Sequence, residues 1–153
     1  MKYLLIVFLL FYGCVKKPVK SLPVYVSVKC PNLRFSDSGF LRYNGHVALQ
    51  VYSAGSALME LKISNRVCVN GRCMSKESFN EKFLSPYYPK TLLEDILRRR
   101  PIFGGENLKR TEDGFIQRIK SPHLDIIYKV NSKEVYFKDR KNAILIKIKE
   151  LDV

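Results

Sequence analysis

Histidine is almost missing from this chain: His46 and His123 are the only two in 153 residues. Neither lies at ligand spacing to a cysteine pair, which argues against a zinc site. His46 sits beside a turn signal and His123 follows Ser121-Pro122, so both read as surface residues rather than bases. Catalytic signatures are missing as well. There is no nucleophile elbow, HExxH, Gly-rich phosphate loop or carboxylate pair on a clear scaffold. Ser56 in "GSA" lacks the strained strand-to-helix setting of a nucleophile, and "TEDG" at 111 to 114 reads as a turn. The expectation is a protein that is not an enzyme and has no catalytic or metal-binding residue. Acidic residues are scarce too, 14 against 27 lysines and arginines, for a formal charge of +13. The basic residues are dispersed along strands and turns, as expected of a solvated basic surface suited to anionic head groups or an acidic partner.

A membrane-crossing run is also missing. The apolar stretch from Tyr3 to Tyr12 falls well short of the roughly 20 residues a spanning helix needs. It has no polar face, so it does not read as an amphipathic core helix either. With Lys2 before it and Gly13 after it, the stretch reads as the apolar region of a signal peptide, residues 1 to 13.

This region ends in Gly13-Cys14 and resembles the lipobox of bacterial lipoproteins, although Phe11 and Tyr12 stand where the usual pattern has leucine and a small residue. The resemblance implies cleavage before Cys14 and acylation of that cysteine. Acyl chains at about 0.8 kcal/mol per buried CH₂ would then anchor the mature chain. Val15, in place of an inner-membrane retention aspartate, implies the periplasmic face of the outer membrane, where nucleic acid is not a partner. Residues 14 to 23, with Lys16, Lys17, Pro18, Lys20 and Pro23, read as a polar tether. Residues 24 to 153 are then one domain.

Three further cysteines remain. Asn70-Gly71 is a strong signal for a two-residue type I′ hairpin. It sets Cys68 opposite Cys73 as a non-hydrogen-bonded pair, close enough for a disulfide. Cys30 reads as a buried thiol.

Strand patterns dominate the rest. In "FLRYNGHVALQVYS", Phe40 and Arg42, then Val47, Leu49 and Val51, alternate around a second hairpin signal, Asn44-Gly45. "ALMELKIS" and "RVCVNGRCM" follow as strands. The period then changes: Ser75 can cap a helix over "KESFNEKFL" with Phe79 and Phe83 on its inner face. Pro89 can open a second helix, "KTLLEDILRRR", with Arg98 to Arg100 at its C-terminal end. Four strand patterns close the chain: "GFIQRIK", "HLDIIYKV", "EVYFKD" and "AILIKIKEL". The fold class expected is mainly β with a helical insertion (α+β), an open antiparallel sheet or barrel with two helices over its hollow.

At this level the chain resembles the LolB family of outer-membrane lipoproteins. The likeness is carried by "LQVYSAGSALMELKI", by "YPKTLLEDILRRRPIFGG", and by "DIIYKV" with "EVYFKDRKNAILIKIKEL". It implies a half-open β-barrel whose apolar hollow holds acyl chains of cargo lipoproteins received from a periplasmic, LolA-like carrier. It also implies a monomer that needs no cofactor beyond the covalent lipid on Cys14. Residues placed to line such a hollow are Leu49, Val51, Met59, Leu61, Ile63, Ile96, Ile126, Tyr128, Phe137, Ile144, Ile146 and Ile148. The family's insertion loop maps to Ala54 and Gly55, with Leu58 just beyond; Ala54 stands where the family has leucine. The family's tryptophans have no counterpart, since this chain contains none. The alternative is a scaffold lipoprotein of the same fold that binds a protein or envelope polymer through its basic surface.

Overall fold

The structure, a computed structural model, describes residues 19 to 152. Residues 1 to 13, read as a signal peptide, and Cys14 lie outside the described residues. Six strands come first: β1 (Lys20–Cys30), β2 (Leu33–Asn44), β3 (His46–Ser53), β4 (Ser56–Ile63), β5 (Val67–Val69) and β6 (Arg72–Met74). Two helices follow, α1 (Lys76–Phe83) and α2 (Leu92–Leu97). Five strands complete the chain: β7 (Lys109–Arg110), β8 (Phe115–Lys120), β9 (Asp125–Val130), β10 (Glu134–Asp139) and β11 (Ile144–Glu150).

All eleven strands join one antiparallel sheet in the order β6-β5-β4-β3-β2-β1-β11-β10-β9-β8-β7. Neighbours in the sheet are neighbours in sequence except at β1 and β11, which set Val26 opposite Ile148 and join the two strand groups. The sheet is not closed. Its edges, β6 and β7, have only three and two residues, so little unpaired backbone is offered to another chain.

Side chains alternate across a strand, and one face of this sheet takes the apolar set. Val24 and Val26 of β1, Val47, Leu49 and Val51 of β3, and Ile144, Ile146 and Ile148 of β11 are all buried there. Both helices pack on this inner face through Phe79, Leu92, Leu93, Ile96 and Leu97, within a single hydrophobic core.

Three expectations need correcting. Residues 20 to 23, read as tether, belong to β1. Pro23 is tolerated because its carbonyl accepts from Leu151 N–H. Its missing donor therefore faces β11 just past that strand's end, and the β1–β2 ladder loses no bond. Phe40 and Arg42 share the outer face rather than that of Leu49. Tyr43 pairs with Val47 and Asn44 with His46, leaving Gly45 alone at the tip. A two-residue turn would have set Tyr43 opposite His46; the observed register differs by one residue and moves each β2 side chain to the other face. The second helix is shorter than expected and stops before its arginines. Arg99 has a left-handed φ of 57°. The carbonyls of Leu97 and Arg100 accept instead from the hydroxyls of Tyr43 and Tyr128, at 2.7 and 3.0 Å.

Candidate functional site

Between the inner sheet face and the helices lies an apolar cavity of about 110 Å³. Val26 and Val28 of β1, Leu49 of β3, Met59 and Leu61 of β4, and Ile146 and Ile148 of β11 come from the sheet, while Phe79, Phe83, Leu84, Leu93 and Leu97 come from the helical segment. Cys30, Leu33, Phe35 and Val69 complete it. Every lining side chain is apolar except for the Cys30 thiol. Burial pushes that thiol up to about 11, so it stays neutral at ordinary pH and adds no charge to the site.

Val28, Leu33, Phe35, Val69, Phe83 and Leu84 are only half-buried, which places the cavity's approach to solvent beside the β1–β2 turn and the C-terminal end of α1. One hydrogen bond crosses this end, from Asn32 Nδ2 to the carbonyl of Lys82 at 3.1 Å.

The helical segment on the inner face is tied to the sheet at both of its ends. Ser75 caps α1 by accepting from Ser78 N–H at 3.0 Å, as its sequence position suggests. The hairpin just before it is stapled by the Cys68–Cys73 disulfide, with Cα atoms 3.9 Å apart. Asn70 and Gly71 have φ of 49° and 80°, the left-handed pair that a type I′ turn requires. Between α1 and α2 the connector is held by Asn80 Nδ2, which donates to the carbonyls of Tyr88 and Pro89. Tyr88 in turn donates its hydroxyl to Asp139 Oδ2 at 2.8 Å. Asp139 is wholly buried, without a cationic partner among the described residues. Backbone N–H groups of Asp125 and Lys141 and the Asn142 side chain satisfy it instead. Glu94 of α2 binds Lys76 of α1 at 2.9 Å and Arg98, the residue just past α2, at 3.1 Å. Burial alone would raise the Glu94 carboxyl, but hydrogen bonds from these two cations outweigh it and hold the carboxyl below its usual range.

Of the twelve residues expected to line a hollow, Leu49, Met59, Leu61, Ile146 and Ile148 do so. The other seven, Val51, Ile63, Ile96, Ile126, Tyr128, Phe137 and Ile144, belong to the buried core but not to the cavity lining. For Ile126, Tyr128 and Phe137 the reason is aromatic filling on the β8–β10 side: Tyr128 meets Phe115 and Phe137 edge-on at 5.6 and 6.2 Å, and Tyr88 caps Phe137 at 5.9 Å. The unfilled space therefore lies toward β1 and β4. Sequence reasoning assigned no strand to residues 24 to 39 and so left out Val26, Val28, Leu33 and Phe35, although "VYVSVKC" carries a plain alternation of two.

Ala54 and Gly55 form a second turn with φ of 49° and 80°, at the tip of the β3–β4 hairpin and away from the cavity. Leu58 is the extra residue of a bulge, where Val51 pairs with Met59 and Tyr52 with Ala57, and it is 49% exposed. His123 stacks on Tyr87 with ring centroids 4.0 Å apart. Among the described residues no three His, Cys, Asp or Glu side chains converge as a metal site. No described helix is long and apolar enough to cross a membrane. No known protein family and no curated protein sequence matches the chain.

Proposed function

We propose that this chain is a LolB-like acceptor of acyl chains. It is a half-open barrel, anchored through a lipidated Cys14 to the periplasmic face of the outer membrane, which takes acylated lipoproteins from a periplasmic carrier and passes them to that membrane. One observation carries the reading: a cavity whose wall is apolar but for one neutral thiol lies under a two-helix cover on an unclosed sheet. Such a wall offers nothing to an ion or a polar substrate, whereas a hydrocarbon chain gains about 0.8 kcal/mol per CH₂ removed from water.

The size of the cavity defines the mechanism. An apolar void of about 150 Å³ takes up a guest as small as benzene, so 110 Å³ admits only the end of a long chain. A whole acyl chain enters by displacing Phe79, Phe83 and Leu84, which requires α1 to lift. Its release at the solvent-facing end breaks the exposed Asn32–Lys82 bond, while α2 stays fixed by Tyr43 and Tyr128. No catalytic group is needed for the handover.

The test mixes the chain, with Cys14 unacylated, with carrier loaded with a labelled lipoprotein, and recovers the label by pull-down. Cargo is expected to move onto the chain, and Leu49→Phe with Leu61→Phe, which grow into the void, to reduce the transfer at least several-fold. If the label stays on a carrier that readily serves another acceptor, the proposal is wrong and the scaffold alternative takes its place. Undiminished transfer to the filled variant would place cargo elsewhere on the molecule.

A further inference from the structure

The basic residues, dispersed in sequence, converge in the sheet. Reading across the strands on the outer face, Lys29 of β1 lies opposite Leu145 of β11, Leu145 opposite Lys138 of β10, Lys138 opposite Ile127 of β9, and Ile127 opposite Arg118 of β8. The adjacent row runs from Lys147 through Tyr136 to Lys129. Across the strands lysine or arginine thus alternates with an apolar residue, at a strand spacing of about 4.8 Å. The cations are all exposed and the apolar residues between them half-buried. Only two carboxylates share these strands' outer face, Glu134 at 3.5 Å from Lys147 and Asp125 at 3.9 Å from Arg140. Among the described residues, Lys29, Lys138, Lys129 and Arg118 have no ion-pair partner.

We infer that the outer face of β1 and β8 to β11 docks on the surface of a bilayer containing anionic phospholipid. Charge complementarity identifies the class of partner, and residue type narrows it. Lysine is depleted from protein–protein interfaces, where aromatic and arginine anchors dominate; this face is mainly lysine and its apolar residues are aliphatic apart from Tyr25 and Tyr136. Stacking of nucleic-acid bases needs several exposed aromatic rings along a track, and this face has two tyrosines on non-adjacent strands, half-buried Tyr136 and Tyr25 at 43% exposure. Flexible ammonium groups with Ile and Leu between them suit a fluid array of phosphates above a hydrocarbon boundary. The helices and the cavity lie on the opposite side of the sheet, so docking through this face leaves them turned to the water. The inference stands on the outer face alone and does not depend on what fills the cavity.

The test uses the full chain, so that residues 1 to 18 are common to every sample. Sedimentation compares vesicles of phosphatidylcholine alone with vesicles of phosphatidylcholine and phosphatidylglycerol. One variant carries Lys129→Gln, Lys138→Gln and Lys147→Gln; a control carries Lys62→Gln, Arg72→Gln and Lys90→Gln, the same change in net charge at exposed sites away from this face. At roughly five-fold per basic residue near an anionic surface, the first variant is expected to lose about a hundred-fold of the phosphatidylglycerol-dependent partitioning. The control is expected to lose little, and added salt to abolish the difference. Equal loss in both variants would show net charge acting without a face, and no loss in the first would remove the face from membrane binding. Either overturns the inference, as does face-dependent capture of single-stranded DNA without any preference for anionic vesicles. Cargo transfer measured without vesicles reports on the cavity and is expected to be unchanged in both variants.

Discussion

Ala54 occupies a backbone conformation that suits it poorly. Its φ of 49° places a Cβ-bearing residue in the left-handed region, at about 1 to 2 kcal/mol for an ordinary L-residue. The other hairpin of the same kind has Asn70 at the equivalent place, also at 49°, and there the side-chain oxygen accepts from Glu60 N–H at 2.8 Å. Asparagine is the preferred first residue of a type I′ turn. Ala54→Asn is therefore expected to stabilise the protein by about 0.5 to 1 kcal/mol, read as a higher urea midpoint with unchanged slope. A lower midpoint would mean that this turn is not type I′. The same residue bears on the proposed function, since an exposed alanine in a two-residue turn presents little apolar surface to a membrane. Leu58, held outward by the bulge, is the nearest exposed large apolar side chain along the chain.

At the scale of elements, what was legible in the sequence was what local patterns decide. The stapled hairpin is the best case: Asn70-Gly71 sets the turn, the turn sets the pairing, and the pairing brings Cys68 to Cys73. Ser75 marked the start of α1 for the same reason, a capping bond only three residues long. Face assignment in β2 failed because it depends on whether one or two residues sit at the tip beside Gly45, and "NG" alone does not distinguish them. The position of the cavity was not legible either. It depends on Tyr88 reaching Asp139 and on Tyr128 reaching Arg100, contacts 51 and 28 residues apart, which fill one half of the hollow and leave the other. The disulfide allows a direct test of how the cover is supported. A cross-link closing so short a loop contributes about 2 kcal/mol in the chain-entropy account, and this one lies immediately before α1. Reduction is expected to lower stability by about that amount and to speed proteolysis within residues 76 to 84 ahead of the sheet. Cleavage that begins in β8 to β11 instead would show that the hairpin does not support α1.

For the molecule as a whole, the helical cover has a signature in alkaline solution. Tyr88 and Tyr128 lie beneath it, 6% and 0% exposed, as does Cys30 at 4%. Burial raises all three above their ordinary ionisation ranges, and the Asp139 carboxylate adds to the effect at Tyr88. For an acid whose folded-state pKa is raised, the native state holds its proton where the unfolded chain has lost it, so stability falls as pH rises past the unfolded value. The loss starts near 9.0 for the Cys30 thiol and is complete near its folded value of about 11. For the two phenols it starts near 10.0 and continues upward through the accessible range. Each group removes at most about 1.4 kcal/mol per pH unit, so by about pH 11 the three together offset roughly 5 kcal/mol, comparable to the whole stability of a marginal domain. Urea midpoints measured from neutral pH upward are therefore expected to hold steady to about pH 9 and then fall steeply. Tyr88→Phe gives a second reading. It removes a bond to a buried carboxylate, lowering stability at neutral pH by about 1 to 3 kcal/mol, yet it also removes one titrating group and makes the alkaline decline shallower. A midpoint that stays level through pH 11 would mean that these phenols reach solvent and that the helices do not cover this half of the sheet.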